Sequence, residues 1–259
     1  MSMNALPRTP SFRLDGKRAL VTGGSRGIGL AIAVALAEAG ATVTLAARSE
    51  PELHEACARI NAEMGGNTCD HVALDVTNPQ SVDALLDARA PFHILVNNAG
   101  MNRPKHLVEL GNEDIDAVLN LNVKAAFYVS RAVARSMLKV GQGGSLINVS
   151  SQMGLVGSPS RTLYCASKHA LEGMTKALAW ELGRSGIRVN TLCPTFIETE
   201  MTADMFLQPG FKDWVLERIA LGRLGRTEEI MGAAVFLASD ASSLVTGSAL
   251  MLDGGWTAA

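Results

Sequence analysis

Arg18-Ala19-Leu20-Val21-Thr22-Gly23-Gly24-Ser25-Arg26-Gly27-Ile28-Gly29 is the stretch on which the fold turns. Its first residues form a short β-branched and apolar run that reads as a buried strand, and Gly29 to Ala39 continues with the apolar spacing of a helix. Between the two, glycines let backbone N–H groups approach a pyrophosphate, and the helix N-terminus favours its negative charge. The residues that would build this cradle are Gly23, Ser25, Arg26, Gly27, Ile28 and Gly29. No Gly-Lys-Ser/Thr follows the glycines, so the phosphate loop of nucleotide hydrolases does not fit.

Outward from this turn the same alternation repeats. Strand-like runs at Thr42–Ala46, His71–Leu74, His93–Val96, Ser145–Val149, Ile187–Thr191 and Ala249–Leu252 are separated by helical patterns. The helices are expected at Glu52–Met64, Pro79–Asp87, within Ile115–Val140, at Leu163–Arg184 and at Thr227–Ala238. Strands joined by helix-length crossovers pair in parallel and need cover on both faces. The expected class is therefore α/β: a doubly wound parallel sheet, the Rossmann fold, with helices on both faces. Residues Met1 to Phe12 lack apolar periodicity and are expected as a flexible arm, followed by a single domain over 13–259. Within it, Pro194 to Leu221 gathers Met201, Met205, Phe206, Phe211 and Trp214 around Pro209-Gly210. This segment is expected as a mobile apolar lid, the alternative being a surface helix that packs those side chains inward.

Composition narrows the function classes. The chain has 259 residues, 47% hydrophobic and 19% charged, with a net charge of −2. That leaves no basic field to gather nucleic acid or an anionic membrane. The uncharged run Gly27 to Ala37 is fenced by Arg26 and Glu38 and falls well short of the ~20 residues that span a bilayer. The four cysteines are scattered, without a C-x-x-C pair, and read as reduced thiols of a cytoplasmic protein. The five histidines form no H-x-x-x-H or Cys/His grouping, so no metal site is expected. What remains is small-molecule chemistry.

Two further patterns carry chemistry. At the end of the second strand, an Asp or Glu would bond the 2′-hydroxyl of NAD; the chain has Ala46-Ala47-Arg48-Ser49 instead. With Arg48 there and Arg26 in the glycine turn, a 2′-phosphate is better matched, which favours NADP(H), with NAD(H) as the alternative. Tyr164 and Lys168 stand one helical turn apart, on one face. A lysine cation beside a tyrosine favours the phenolate and brings a poor base into the useful range.

These residues do not stand alone. Asn97-Asn98-Ala99-Gly100 follows the fourth strand, Asn122 lies in Asn120-Leu121-Asn122-Val123, Ser150-Ser151 follows the fifth strand, and Asp253-Gly254-Gly255 comes near the end. With the glycine turn and the Tyr/Lys pair, their order and spacing resemble the classical-type members of the short-chain dehydrogenase/reductase (SDR) family, from Leu14 almost to the C-terminus. The resemblance implies a tetrad of Asn122, Ser151, Tyr164 and Lys168. Tyr164 would be the acid/base on the substrate oxygen and Ser151, with Ser150 as fallback, would bond that oxygen. Lys168 would depress the tyrosine and hold the nicotinamide ribose, and Asn122 would hold a water connecting Lys168 to solvent. It further implies Asp75 and Val76 near the adenine, Asn98 and Gly100 along the cofactor, and Ile197 and Thr199 at the carboxamide. The family commonly has Pro-Gly where this chain has Pro194-Thr195, which unsettles the pocket's shape there. A homotetramer is implied too, through the long helices and the Asp253–Ala259 tail.

The expected activity is an NAD(P)(H)-dependent interconversion of a secondary alcohol and a ketone by direct hydride transfer. A polyol or sugar acid is favoured over a 3-oxoacyl compound, because Gln152, Asn102 and Arg103 could bond hydroxyls or a carboxylate. A serine hydrolase does not fit: neither Ser150 nor Ser151 lies in G-x-S-x-G. The rival of another class is a non-catalytic protein of the same fold that binds the cofactor as a sensor or scaffold.

Overall fold

The computed structural model describes residues 6–258. The strands are β1 (Arg18–Thr22), β2 (Thr42–Ala47), β3 (Cys69–Ala73), β4 (Ile94–Asn97), β5 (Gly144–Val149), β6 (Ile187–Pro194) and β7 (Ala249–Leu252). All pair in parallel in the order β3-β2-β1-β4-β5-β6-β7. Leu20 of β1 stands opposite Thr44 of β2 on one side and Leu95 of β4 on the other. The chain winds outward from β1 to β3, returns beside β1 as β4, and then winds the opposite way. That reversal opens a crevice above the C-terminal ends of β1 and β4.

The helices are α1 (Gly27–Glu38), α2 (Glu50–Met64), α3 (Pro79–Asp87), α4 (Asn112–Leu119), α5 (Ala125–Val140), α6 (Thr162–Leu182), α7 (Glu200–Phe206), α8 (Phe211–Leu216) and α9 (Glu228–Ala238). Because strand side chains alternate between faces, neighbours on β1 enter different cores. Ala19 and Val21, with Ile94, Val96 and Ile147, pack against Ile32 and Leu36 of α1, Leu53 of α2 and Leu237 of α9. Leu20, with Leu95 and Leu146, packs against Val82 of α3, Val133 of α5 and Leu182 of α6. Each such fully buried aliphatic side chain contributes about 1.5–3 kcal/mol by removal from water. No helix among the described residues is long and apolar enough to cross a membrane.

Three expectations are refined. The Ile115–Val140 stretch is not one α-helix: α4 and α5 are separated by a π-helical turn at Asn120–Lys124, in which the Ala125 N–H reaches back to the Asn120 carbonyl. Of the expected arm, residues 1–5 lie outside the described residues, and 6–12 are exposed without regular structure. Its end is nonetheless tied down, since the Ala241 N–H donates to the Ser11 carbonyl at 3.2 Å and the Phe12 ring lies 6.4 Å from that of Phe236. The segment 194–221, expected as a lid, packs much of its apolar surface. Buried Phe196, Val215 and Ile219 gather Phe206, Phe211, Trp214 and Trp256 into one cluster, with Phe196 and Phe211 rings 5.8 Å apart. The rings shed water on one another; the Met201 side chain and Ala259 lie outside what is described.

Candidate active site

The glycine turn connects β1 to α1 at the crevice. Gly23 adopts a left-handed φ of 63°, which an L side chain rarely tolerates. At Gly29 a β-carbon would collide with the Gly23 carbonyl and the Asn98 amide, so helix and turn can close only on glycine there. Asn98, expected along the cofactor, braces this turn: its Nδ2 donates to the carbonyls of Thr22 at 3.1 Å and Gly23 at 2.9 Å. Thr22 returns the tie, its hydroxyl accepting the Asn98 N–H at 3.1 Å and the Ala99 N–H at 3.2 Å.

The turn forms one end of a cleft of about 920 Å³. Gly23, Ser25, Arg26, Gly27, Ile28 and Gly29 all line it, as do Arg48, Asp75 and Val76 across the strand ends. No carboxylate terminates β2; exposed Arg48 follows Ala47 directly. The Asp75 carboxylate accepts the Thr77 N–H and hydroxyl at 2.9 and 2.7 Å. Those bonds hold it below the usual carboxylate range, with a smaller pull from Arg48. Glu52, unmarked in the sequence reading, also faces the cleft and accepts the Ser25 hydroxyl at 3.1 Å.

At the other end stand Ser151, Tyr164 and Lys168, with Gly100, Ile197 and Thr199 between. Lys168 is buried; its ammonium donates to the Val149 carbonyl at 2.8 Å and lies 5.5 Å from the centroid of the Tyr164 ring. Burial pushes it down to about 8, against the pull of Cys193 and Glu172. Burial pushes the Tyr164 phenol up to about 12, against hydrogen bonding by Ser151 and the nearby Arg161 cation. Arg161, not singled out in the sequence, is thus a second cation near the phenol besides Lys168. The Ser151 hydroxyl donates to Gln152 Oε1 at 2.7 Å and accepts the Met153 N–H at 3.1 Å, while the Ser150 hydroxyl has no partner among the described residues.

Asn122 is the one tetrad member that does not line the cleft. It sits in the π-helical turn behind the wall, and its carboxamide is a clamp. Its oxygen accepts the Met101 N–H at 2.8 Å, and its nitrogen donates to the Met101 carbonyl at 2.9 Å and to the Ser167 hydroxyl at 3.0 Å. Ser167 in turn donates to the Tyr164 carbonyl at 2.8 Å. Gly100 leaves open the space between this carboxamide and the lysine: a β-carbon there would stand 3.3 Å from Asn122 Oδ1 and 3.8 Å from Lys168 Nζ.

Two more residues were missed. The Thr202 hydroxyl donates to the Ile197 carbonyl at 2.7 Å and accepts the Thr199 N–H at 3.1 Å, fixing the loop that follows β6. Nothing in a lone threonine of an irregular stretch announces that role. Arg161 lines the substrate end one turn ahead of Tyr164. Arg103, by contrast, is already engaged: its NH1 meets Asp114 at 2.7 Å, alongside Lys105 at 2.6 Å.

The chain matches the family model described as enoyl-(acyl carrier protein) reductase over residues 23–257. It is 42% identical over 253 residues to gluconate 5-dehydrogenase of Gluconobacter oxydans (strain 621H), covering 95% of this chain and 96% of that one. It is 41% identical over 243 residues to a 3-oxoacyl-[acyl-carrier-protein] reductase of Chlamydia trachomatis serovar D, covering 92% and 96%. Among solved structures, a gluconate 5-dehydrogenase from Burkholderia cenocepacia J2315 in complex with NADP and tartrate superposes with a TM-score of 0.91 at 40% identity, over 96% of this chain and 98% of that one. The chain belongs to the short-chain dehydrogenase/reductase family.

Proposed function

We propose that this enzyme interconverts a secondary alcohol and a ketone of a polyol or sugar acid, with NADP(H) as the preferred cofactor and Tyr164 as the acid/base. The observation that carries the reading is one continuous cleft with the glycine turn at one end and Tyr164, Ser151 and Lys168 converging at the other. The glycine turn fits a dinucleotide, because Gly23, Gly27 and Gly29 present bare backbone to the cleft at the start of α1, and Ala47-Arg48 fits a 2′-phosphate better than a bare ribose. When bound, NADP(H) supplies or accepts the hydride. The protein's part is the proton.

Tyr164 is a phenol at neutral pH, the form that donates to a carbonyl oxygen as a ketone becomes an alcohol. Ser151, beside it, bonds the same oxygen and fixes its distance from the phenol. Lys168, still a cation at neutral pH, stabilises the phenolate left after donation and is the route by which the proton is replaced. In the reverse direction the phenolate takes the alcohol proton. Arg48 and Arg26 would hold the 2′-phosphate, Asp75 and Val76 would flank the adenine, and Ile197 and Thr199 would meet the carboxamide.

Support for a hydroxylated substrate comes from Gln152, Asn102 and Thr195 at this end, where the side-chain oxygens of Asn102 and Thr195 have no partner among the described residues. Relatives named gluconate 5-dehydrogenase support a sugar acid, and a relative named 3-oxoacyl-[acyl-carrier-protein] reductase, nearly as similar, keeps a 3-oxoacyl compound as the alternative. Residues 194–221 serve as the lid, Thr195, Thr202 and Met205 facing inward from it. A homotetramer is supported by exposed Trp180 on α6 and Phe127 on α5, and a reducing cytoplasm by four free, buried thiols. The decisive experiment replaces Tyr164 with Phe: NADPH should still bind, and turnover of every polyol or sugar acid that the wild type oxidises should disappear. Retention of more than a small fraction of kcat would refute Tyr164 as the acid/base, and cofactor binding without turnover of any substrate by the wild type would favour a sensor.

A further inference from the structure

Arg161 occupies a place that helix stability does not explain. It is the residue that caps α6, where Ser, Thr, Asp or Asn would normally accept a backbone N–H, and it makes no side-chain cap bond. A cation at a helix N-terminus opposes the helix dipole, and no acidic residue in the first turn offsets it. Just before it, Ser160 holds a φ of 56°, the one left-handed non-glycine among the described residues. Such conformations persist where the surrounding structure requires a particular chain direction, and here the direction carries the next side chain into the cleft.

The Arg161 guanidinium has only weak or neutral partners: NH1 donates to the Ser160 carbonyl at 3.2 Å and NH2 approaches Met205 Sδ at 3.6 Å. Among the described residues no carboxylate pairs with it. Burial already disfavours its charge, leaving a partly desolvated cation with no carboxylate partner among the described residues. It lines the same cleft as Tyr164, and its charge works against the rise of the phenol. The neighbouring Arg103 shares Asp114 with Lys105 and is less free to receive an anion.

We infer that Arg161 is the anchor for a substrate carboxylate, so that the alcohol or ketone handled beside Tyr164 belongs to a hydroxy or keto acid rather than a neutral polyol. The inference rests on the function proposed above and names its substrate class. A carboxylate between Arg161 and the N-terminal turn of α6 neutralises the first and meets the unpaired N–H groups of the second. It holds the carbon chain so that a hydroxyl a few atoms away reaches Tyr164 and Ser151. The planar guanidinium suits a carboxylate through paired bonds that an ammonium cannot duplicate.

The test uses matched pairs that differ only in the acid group. L-Tartrate and L-threitol share a four-carbon skeleton, as D-gluconate and D-glucitol share six. The NADPH complex is titrated with tartrate and threitol while nucleotide fluorescence is followed, and wild type is compared with Arg161→Gln and Arg161→Lys. Tartrate should bind the wild type more tightly than threitol, and Arg161→Gln should shrink that preference by about tenfold to a hundredfold, the loss of a charge-assisted pair. Arg161→Lys should restore part of it. In turnover, the gluconate-to-glucitol ratio of kcat/KM should fall in parallel, mainly through KM. An unchanged tartrate preference in Arg161→Gln, equal weakening of tartrate and threitol, or no tartrate binding by wild type would each overturn the inference. Titration needs no catalysis, so a chain that turned over nothing yet bound tartrate through Arg161 would sink the proposed reaction and spare the anchor. A chain that oxidised alcohols without regard to Arg161 would do the reverse.

Discussion

Replacing Asn122 with alanine separates two roles that a single side chain can have in such a site. The structure places its carboxamide behind the cleft, with bonds of 2.8 and 2.9 Å to the two backbone groups of Met101 and 3.0 Å to the Ser167 hydroxyl. The residue is 2% exposed, so water does not replace those partners easily. At about 1 kcal/mol net per bond, the truncation costs about 3 kcal/mol. For a domain of this size each kcal/mol lowers Tm by about 2–4 °C, so thermal unfolding followed by circular dichroism should shift down by about 6–12 °C. Ser167→Ala loses the bond to Asn122 and the one to the Tyr164 carbonyl, about 2 kcal/mol, and should lower Tm by about 4–8 °C. The double variant should be less damaged than the sum, by about 1 kcal/mol, because the two residues share a bond. Activity should fall alongside Tm, since Met101 and the Tyr164 backbone lose their common support. An Asn122→Ala protein that unfolds at the wild-type temperature but has lost its turnover would refute the clamp and give Asn122 a direct part in the chemistry.

Replacing Arg48 with Ser should raise the dissociation constant for NADPH by about tenfold or more relative to that for NADH, the loss of charge-assisted bonds to a 2′-phosphate; equal constants for the two nucleotides in the wild type would remove the cofactor preference. The Asp114 carboxyl is held down to about 2, chiefly by hydrogen bonds from Lys105 and Arg103. Because it binds a proton less readily when folded, its contribution is fully present above pH ~3.8, the ordinary aspartate value, and disappears as the pH falls towards 2. Asp114→Asn should therefore lower Tm at pH 7 and flatten its fall between pH 4 and 2; parallel Tm-against-pH curves for the two proteins would refute the linkage.

The sequence by itself determined the sheet, its winding and the two ends of the cleft, because these are written in local patterns. The 18–29 stretch needs glycine where φ is positive at Gly23 and where Gly29 touches the Gly23 carbonyl, and no other residue satisfies those contacts. Tyr164 and Lys168 fall on one helix face by spacing alone. Tertiary structure decided what depends on partners far away in the chain. Asn98 braces the turn and Asn122 clamps Met101, because their amides meet backbone groups supplied by other segments. The aromatic residues of 194–221 cluster inward because Phe196 and Trp256 offer them a common apolar surface. Arg103 and Arg161 look alike in sequence, yet Asp114 engages the first while the second has no carboxylate partner among the described residues. A charge's meaning is set by its neighbours in space, and those only the folded chain assembles.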